Sequence, residues 1–378
     1  MILKNALSFI IEFLINSLDQ IRRIYFHSSY YDKRISKNSN LNLIYKPSPH
    51  LLSSLINYQK KKINVDDIEI ENMWENQNIN IKNFKKLNNF YWFFSLDLKS
   101  SKHKTKKIIS QWIKKNFKYN SKCWDFDLTS KRIISWLSNH NLTIEQSDKD
   151  YQLKFDNIIQ KQTNHLINEI NNSKKVDDKL IGCAAVILVG LCYKDKKNYL
   201  PFGLSLLKKI SNQAFDGYGF PKSRSIKQLI FYLKYYILIR EWFKEALIDV
   251  PEQVDETIYY LGQGYAFLWQ NIKCNILMNG NNALNNFEFD QYLKRFNYVF
   301  KNENKEFGGY AILTNKKISI IMDIGNSPSS KFSSHYQSGA LSFEINSNGK
   351  KLISNCGYYG GENTQLVKLS KSTATQST

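Results

Sequence analysis

The sequence predicts an α+β multidomain protein in which a helical array precedes an antiparallel sheet. Three observations carry that expectation. Apolar residues recur at a period near 3.6 from about residue 90, the period changes to 2 near residue 305, and a polar, Asn-rich stretch precedes both. The resulting segments are 1–90, an N-terminal helix and extended polar arm; 91–304, the helical domain; and 305–378, the β domain.

Within the arm, residues 35–90 are broken by Pro47 and Pro49 and read as extended chain with a few short strands. The helical part opens with Ile108, Ile109, Trp112, Ile113 and Phe117 on one face. Ile133, Ile134, Trp136 and Leu137 mark the next helix, with Thr129 or Ser130 placed to cap it. Phe155, Ile158, Ile159, Leu166 and Ile170 follow. LIGCAAVILVGLCY (180–193) is apolar all round and reads as fully buried. Helices at about 202–214, 225–247 and 252–271 complete an array of antiparallel pairs, a bundle or a toroid. Beyond 305, YAIL and ISIIMDIG form one hairpin pattern. ALSFEI and KKLIS form another, with Asn348-Gly349 as its turn. So few strands leave sheet edges unprotected, so the β domain reads as truncated.

Of the 378 residues 42% are apolar and 14% aromatic, which excludes a wholly disordered chain. The net charge is +20, yet only seven of 53 basic residues are Arg, and Asn is heavy at 41. Lys, Asn and Ile excess is what AT-rich coding produces, so charge alone selects no partner. Nucleic acid is disfavoured because its recognition uses Arg forks and no such motif appears. Five scattered cysteines without CxxC argue against a disulfide framework and a thiolate zinc site, and Cys183 and Cys192 read as small core hydrophobes. Residues 1–18 are apolar but carry Glu12 and no small-residue cleavage site follows. They read as a retained amphipathic helix, giving a possible peripheral membrane contact through residues 1–25.

DIGNSPSSKFSSHYQSGALSFEINSNGKKLISNCG (323–357) resembles the start of the C-terminal domain of heparinase II/III-like polysaccharide lyases. FSLDLK (94–99), QWI (111–113), CWDFDLTSKRIISW (123–136) and DGYGFPKS (216–223) match that family in order and spacing. The resemblance implies an incomplete α/α toroid followed by the start of an antiparallel β-sandwich. It also implies β-elimination of an acidic, uronate-containing glycan, in a cell-envelope or periplasmic setting; without a clear signal peptide the cytoplasm stays open. That chemistry needs a neutralised carboxylate, a base for the α-proton and an acid for the leaving oxygen.

On the family pattern, His335 falls on the first motif histidine, while Gln337 and Gly339 stand where a second His and an Asp would help hold a zinc. No metal and no cofactor are therefore expected. In the toroid loop the expected His, Glu and Tyr are Gly219, Pro221 and Ile226. The candidates are His335 and Tyr218 for catalysis, with Lys222, Arg224, Gln337 and Arg132 for substrate binding. Each has a plainer reading. His335 could cap a strand, Tyr218 could pack in a turn, Lys222 and Arg224 could be a solvated basic turn, and Arg132 could sit in a buried ion pair. The Asn139-His140 and Asn164-His165 dipeptides resemble the family's neutralising pair but are out of position. The sequence leaves two functions open: cleavage of an acidic glycan, and binding of one by a catalytically eroded relative.

Overall fold

A computed structural model describes residues 17–36, 42–55, 63–69, 73–75, 79–97, 101–173, 175–194, 199–270, 272, 274–281 and 287–377. The helices in chain order are α1 (17–27), α2 (Ser29–Ile35), α3 (Pro49–Ser53), α4 (Ile81–Asn88), α5 (Lys102–Asn116), α6 (Phe126–Ser138) and α7 (His140–Thr143). They continue as α8 (Lys149–Glu169), α9 (Val176–Cys192), α10 (Tyr199–Ala214), α11 (Ile226–Glu245), α12 (Glu252–Gln270), α13 (Phe287–Arg295) and α14 (Thr364–Lys371). The strands are β1 (Glu306–Phe307), β2 (Tyr310–Thr314), β3 (Ile318–Asp323), β4 (Phe343–Ser347) and β5 (Lys350–Ile353). The chain forms two compact units, Met1–Pro49 with Asn57–Gly203, and His50–Ile56 with Leu204–Thr378. The helix-to-strand change near 305 falls inside the second. The expected N-terminal helix lies mostly outside the described residues, and no described helix is long and apolar enough to cross a membrane.

The first unit is organised around α9. Its residues from Leu180 to Cys192 are almost all buried, Cys183 and Cys192 among them, as their apolar run requires. Gly182 lets α6 approach: a Cβ there would lie 2.4 Å from Cζ of Phe126. Helix α6 starts three residues before the expected Thr129, because the Asp125 side chain accepts from the Asp127 N–H. Thr129 and Ser130 lie inside the helix, and Ser130 Oγ bonds back to the Phe126 carbonyl. Among its described residues the arm is also more helical than its composition suggested, with α3 and α4 and isolated strand bridges at Leu43 and Ile63. The Asn80 side chain caps α4 through the Asn83 N–H, a local signal that the Asn-rich context hid.

Arg132 is fully buried, but not in an ion pair. Its guanidinium donates to Gln162 Oε1 (3.1 Å), the Asn88 carbonyl (2.9 Å) and Thr129 Oγ1 (3.2 Å), and lies over the Trp112 ring. No carboxylate reaches it among the described residues, and burial holds its pKa down to about 9. His165 is equally enclosed, 2.7 Å from the Tyr31 hydroxyl and ringed by Phe26, Tyr119 and Trp124. Asn164 beside it donates to the Ile35 carbonyl, so this dipeptide serves to dock α2 on α8.

In the second unit the five strands form an antiparallel meander in sequence order. Tyr310 faces Asp323, Ile312 faces Ile321, and Ile321 faces Glu344. Asn348 and Gly349, at φ 48° and 77°, make the primed turn that the dipeptide predicts. The inner face is the polar-looking one: Ser319, Ile321 and Asp323 are buried, whereas Ile318 and Ile324 are exposed. Glu344 of the LSFE motif is buried too. It accepts from the backbone N–H groups of Leu277 and Asn355 and from Lys351 Nζ, so it anchors the sheet to neighbouring chain.

Burial among aromatic rings holds the His165 pKa down to about 3. The ring is therefore neutral when folded. The stability tied to that neutral ring is complete above the unfolded value near 6.5 and is lost as pH falls from there toward 3. We expect the Tm to fall on acidification below about pH 6.5 and the fall to be shallower in His165→Gln. Parallel pH profiles for the two proteins would contradict the assignment.

Candidate functional site

The loop joining α10 to α11 builds one wall of the site. Phe215 and Pro221 pair across it, and Asp216 Oδ1 accepts from the N–H groups of Tyr218 and Phe220, each at 2.9 Å. Gly219 takes φ +77°, and a Cβ there would lie 2.3 Å from Cβ of Tyr260. The loop tip therefore rests on α12 and leaves Tyr218 72% exposed. Lys222 is half-buried and donates to the Asn212 carbonyl at 2.9 Å.

The far end of the loop is fixed by Arg224. Its backbone is left-handed at φ +58°, a conformation kept only where surroundings over-determine it. The guanidinium is buried and donates to Asp323 Oδ1 (2.7 Å) and to the carbonyls of Gly309 (2.6 Å), Gly325 (2.9 Å) and Asn326 (3.2 Å). Tyr310 donates back to the Arg224 carbonyl at 2.7 Å. Asn279 Nδ2 reaches both Tyr310 (2.6 Å) and Asp323 Oδ2 (2.8 Å). Burial pushes the Tyr310 phenol well above its usual range, so it stays protonated and donates.

His335 ends a short 3₁₀ turn, Ser330–His335, and is half-buried. Its ring stacks on Tyr358 with centroids 5.3 Å apart and planes 8° apart. A Cβ on Gly280 would lie 3.0 Å from Cβ of His335 and 2.9 Å from Ser225 Oγ. The end of the Arg224 loop, the Asn279–Gly280 turn and His335 thus meet at one point. The Lys371 ammonium lies 5.8 Å from the Tyr358 ring centre and donates to the Ser334 carbonyl at 2.5 Å. Gln337 is buried beneath them: its Oε1 accepts from Gly280 N–H, and its Nε2 donates to the carbonyls of Gly357 and Ser370.

The expected residues therefore separate. His335 sits at a built surface, and Tyr358 and Lys371, which the sequence reading missed, stand beside it. Tyr218 and Lys222 belong to the opposite end of the loop. Arg224, Gln337 and, in the first unit, Arg132 are buried with their polar atoms turned onto the protein itself, so they shape structure and do not face solvent. The zinc position of the family does not fit this chain, because the Gln337 amide is fully engaged and Gly339 has no donor. Among the described residues no cluster of three or more His, Cys, Asp or Glu could hold a metal.

Residues 305–378 match the family model "Heparinase II/III-like, C-terminal". The whole fold is similar to a crystal structure of heparinase III, with TM-score 0.58, 14% identity, and coverage of 94% of this chain and 68% of that one. Heparan sulfate lyase HepC from Pedobacter heparinus, as a mutant, matches at TM-score 0.57 and 13% identity, over 91% of this chain and 63% of that one. Another heparinase III structure matches at TM-score 0.62 and 14% identity, over 90% and 64%. This chain thus spans about two thirds of the length of these structures. No curated protein sequence matches it. The fold is of the polysaccharide-lyase type. The family match thus covers residues 305–378, and over the rest of the chain the likeness to heparinase III is one of fold.

Removing one partner of a buried pair strands the other charge. Arg224→Met should cost about 3–5 kcal/mol in denaturant unfolding, because it leaves Asp323 and three converging carbonyls unsatisfied. A loss under about 1 kcal/mol would show that the network is dispensable.

Proposed function

We propose that the protein cleaves an acidic, uronate-containing polysaccharide by β-elimination at the surface carrying His335. The observation that supports this most is the half-buried His335 imidazole stacked on Tyr358, with the Lys371 ammonium over the same ring, inside the segment that matches the family. In the reaction His335 takes the proton α to the uronate carboxylate. The C–H electron pair becomes the new C=C bond as the glycosidic C–O bond breaks, and a phenol returns a proton to the leaving oxygen. Imidazole suits the first role because its ordinary pKa lies nearest neutrality. Tyr358 suits the second by position, in place of Tyr218, and Lys371 offsets the carboxylate charge.

A second reading, acidic-glycan binding without cleavage, is favoured by Arg224 and Gln337. Both were expected at the substrate, and both are spent on the protein's own groups. The assay offers heparan sulfate, alginate, hyaluronan and chondroitin and follows the near-ultraviolet absorbance of the unsaturated product. Cleavage is expected, falling about 100-fold or more in His335→Ala. Cleavage unchanged by that substitution would remove His335 from the reaction. Salt-sensitive binding with no cleavage would select the second reading.

A further inference from the structure

At the other end of the 215–225 loop lies an open cavity of about 540 Å³, walled by the second half of α10, the loop tip and the first half of α12. All of its lining residues belong to the second unit. Its charged side chains are balanced, Lys208 and Lys222 against Asp216 and Glu256. Asn212 and Gln253 add amides, and the Gln253 Nε2 is shielded from solvent with no hydrogen-bond partner among the described residues.

The aromatic surroundings are the second observation. Tyr260 lines the cavity at 41% exposure, Tyr259 packs edge-on against it at 5.4 Å and is 58% exposed, and Tyr218 stands next to Gly219, which rests on Tyr260. The paired, partly exposed rings of Tyr259 and Tyr260 give the cavity an apolar surface with polar tips. A sugar matches that chemistry on both sides: its C–H face packs on a ring, and its vicinal hydroxyls pair with carboxylates, amides and ammonium groups. The volume lies within the ordinary range of small-ligand sites.

We infer that this cavity is a second carbohydrate site, separate from His335, that takes a neutral hexose unit. Neutrality follows from the lining. The lining carries two cations and two acids, so a uronate or sulfate gains no net attraction there, and it would place its charge near Asp216 and Glu256. Lys222 then acts as a hydroxyl partner in this cavity and not as a carboxylate neutraliser. The site binds glycan without cleaving it and would hold a mixed polymer while its acidic units meet the other surface.

The test is calorimetric titration of the full chain with gluco-, manno- and galacto-oligosaccharides and with a uronate oligosaccharide, each at low and high salt. Binding of at least one neutral oligosaccharide is expected, with an affinity that salt leaves unchanged. Gln253→Ala and Tyr260→Ala should each weaken it about tenfold or more, equal to about 1.4 kcal/mol. Tyr260 supports the loop tip, so Gln253, on the half-exposed first turn of α12, is the variant whose folding is least at stake. No neutral binding across the panel would overturn the inference. So would full affinity in Gln253→Ala, or binding confined to the uronate and abolished by salt.

Discussion

The second unit depends on one buried cation. A guanidinium withdrawn from water costs several kcal/mol unless its fork of donors is met in full. Arg224 meets that demand with one carboxylate and the carbonyls that gather round it. The requirement propagates outward. Gly309 and Gly325 must lack side chains, since a Cβ at either would lie 2.7 or 2.6 Å from the guanidinium. Asp323 must end β3 on the inner face, and Asn279 must bridge it to Tyr310. The helical loop, the 279–281 turn and the first three strands are thereby locked in one register, and His335 stands on the product. The site is rigid because an expensive charge lies beneath it.

Much of this architecture is legible in the sequence. The 3.6 period marks α5, α6, α8 and α9–α12, and the change near residue 305 marks the sheet, because both signals come from burial repeated over many residues. Single-residue roles were less visible. Asp125 caps α6 and Thr129 does not, since either residue type could do so and only chain geometry chooses. Arg132 reads as half of an ion pair, yet a cradle of neutral oxygens and a Trp112 face satisfies it. In ISIIMDIG, Asp323 is buried on the same face as Ile321 because the Arg224 guanidinium binds it there.

The candidate residues divide along the same line. His335 stands out in the sequence because it lies in a contiguous motif. Tyr358, Lys371, Asn279 and Asp323 were missed because only the fold brings them to His335 and Arg224, from 23 to 99 positions away along the chain. For Gln337 and Arg224, motif position alone does not show what their side chains bind. Arg224 lies in the loop that matches the family's substrate-facing loop and Gln337 stands at a motif histidine, yet each is bonded to the protein's own groups. The fold is shared with structures that are only 13–14% identical, and a shared fold does not fix which polar side chains meet a substrate.

The central claim is that acidic glycan meets this protein at His335. A crystal structure of the full chain with an acidic tetrasaccharide tests it most directly. The account places a uronate carboxylate beside Lys371 and its α-carbon facing the His335 ring, with Tyr358 next to the glycosidic oxygen. Ordered sugar found elsewhere, with the His335–Tyr358 surface bare, would contradict it.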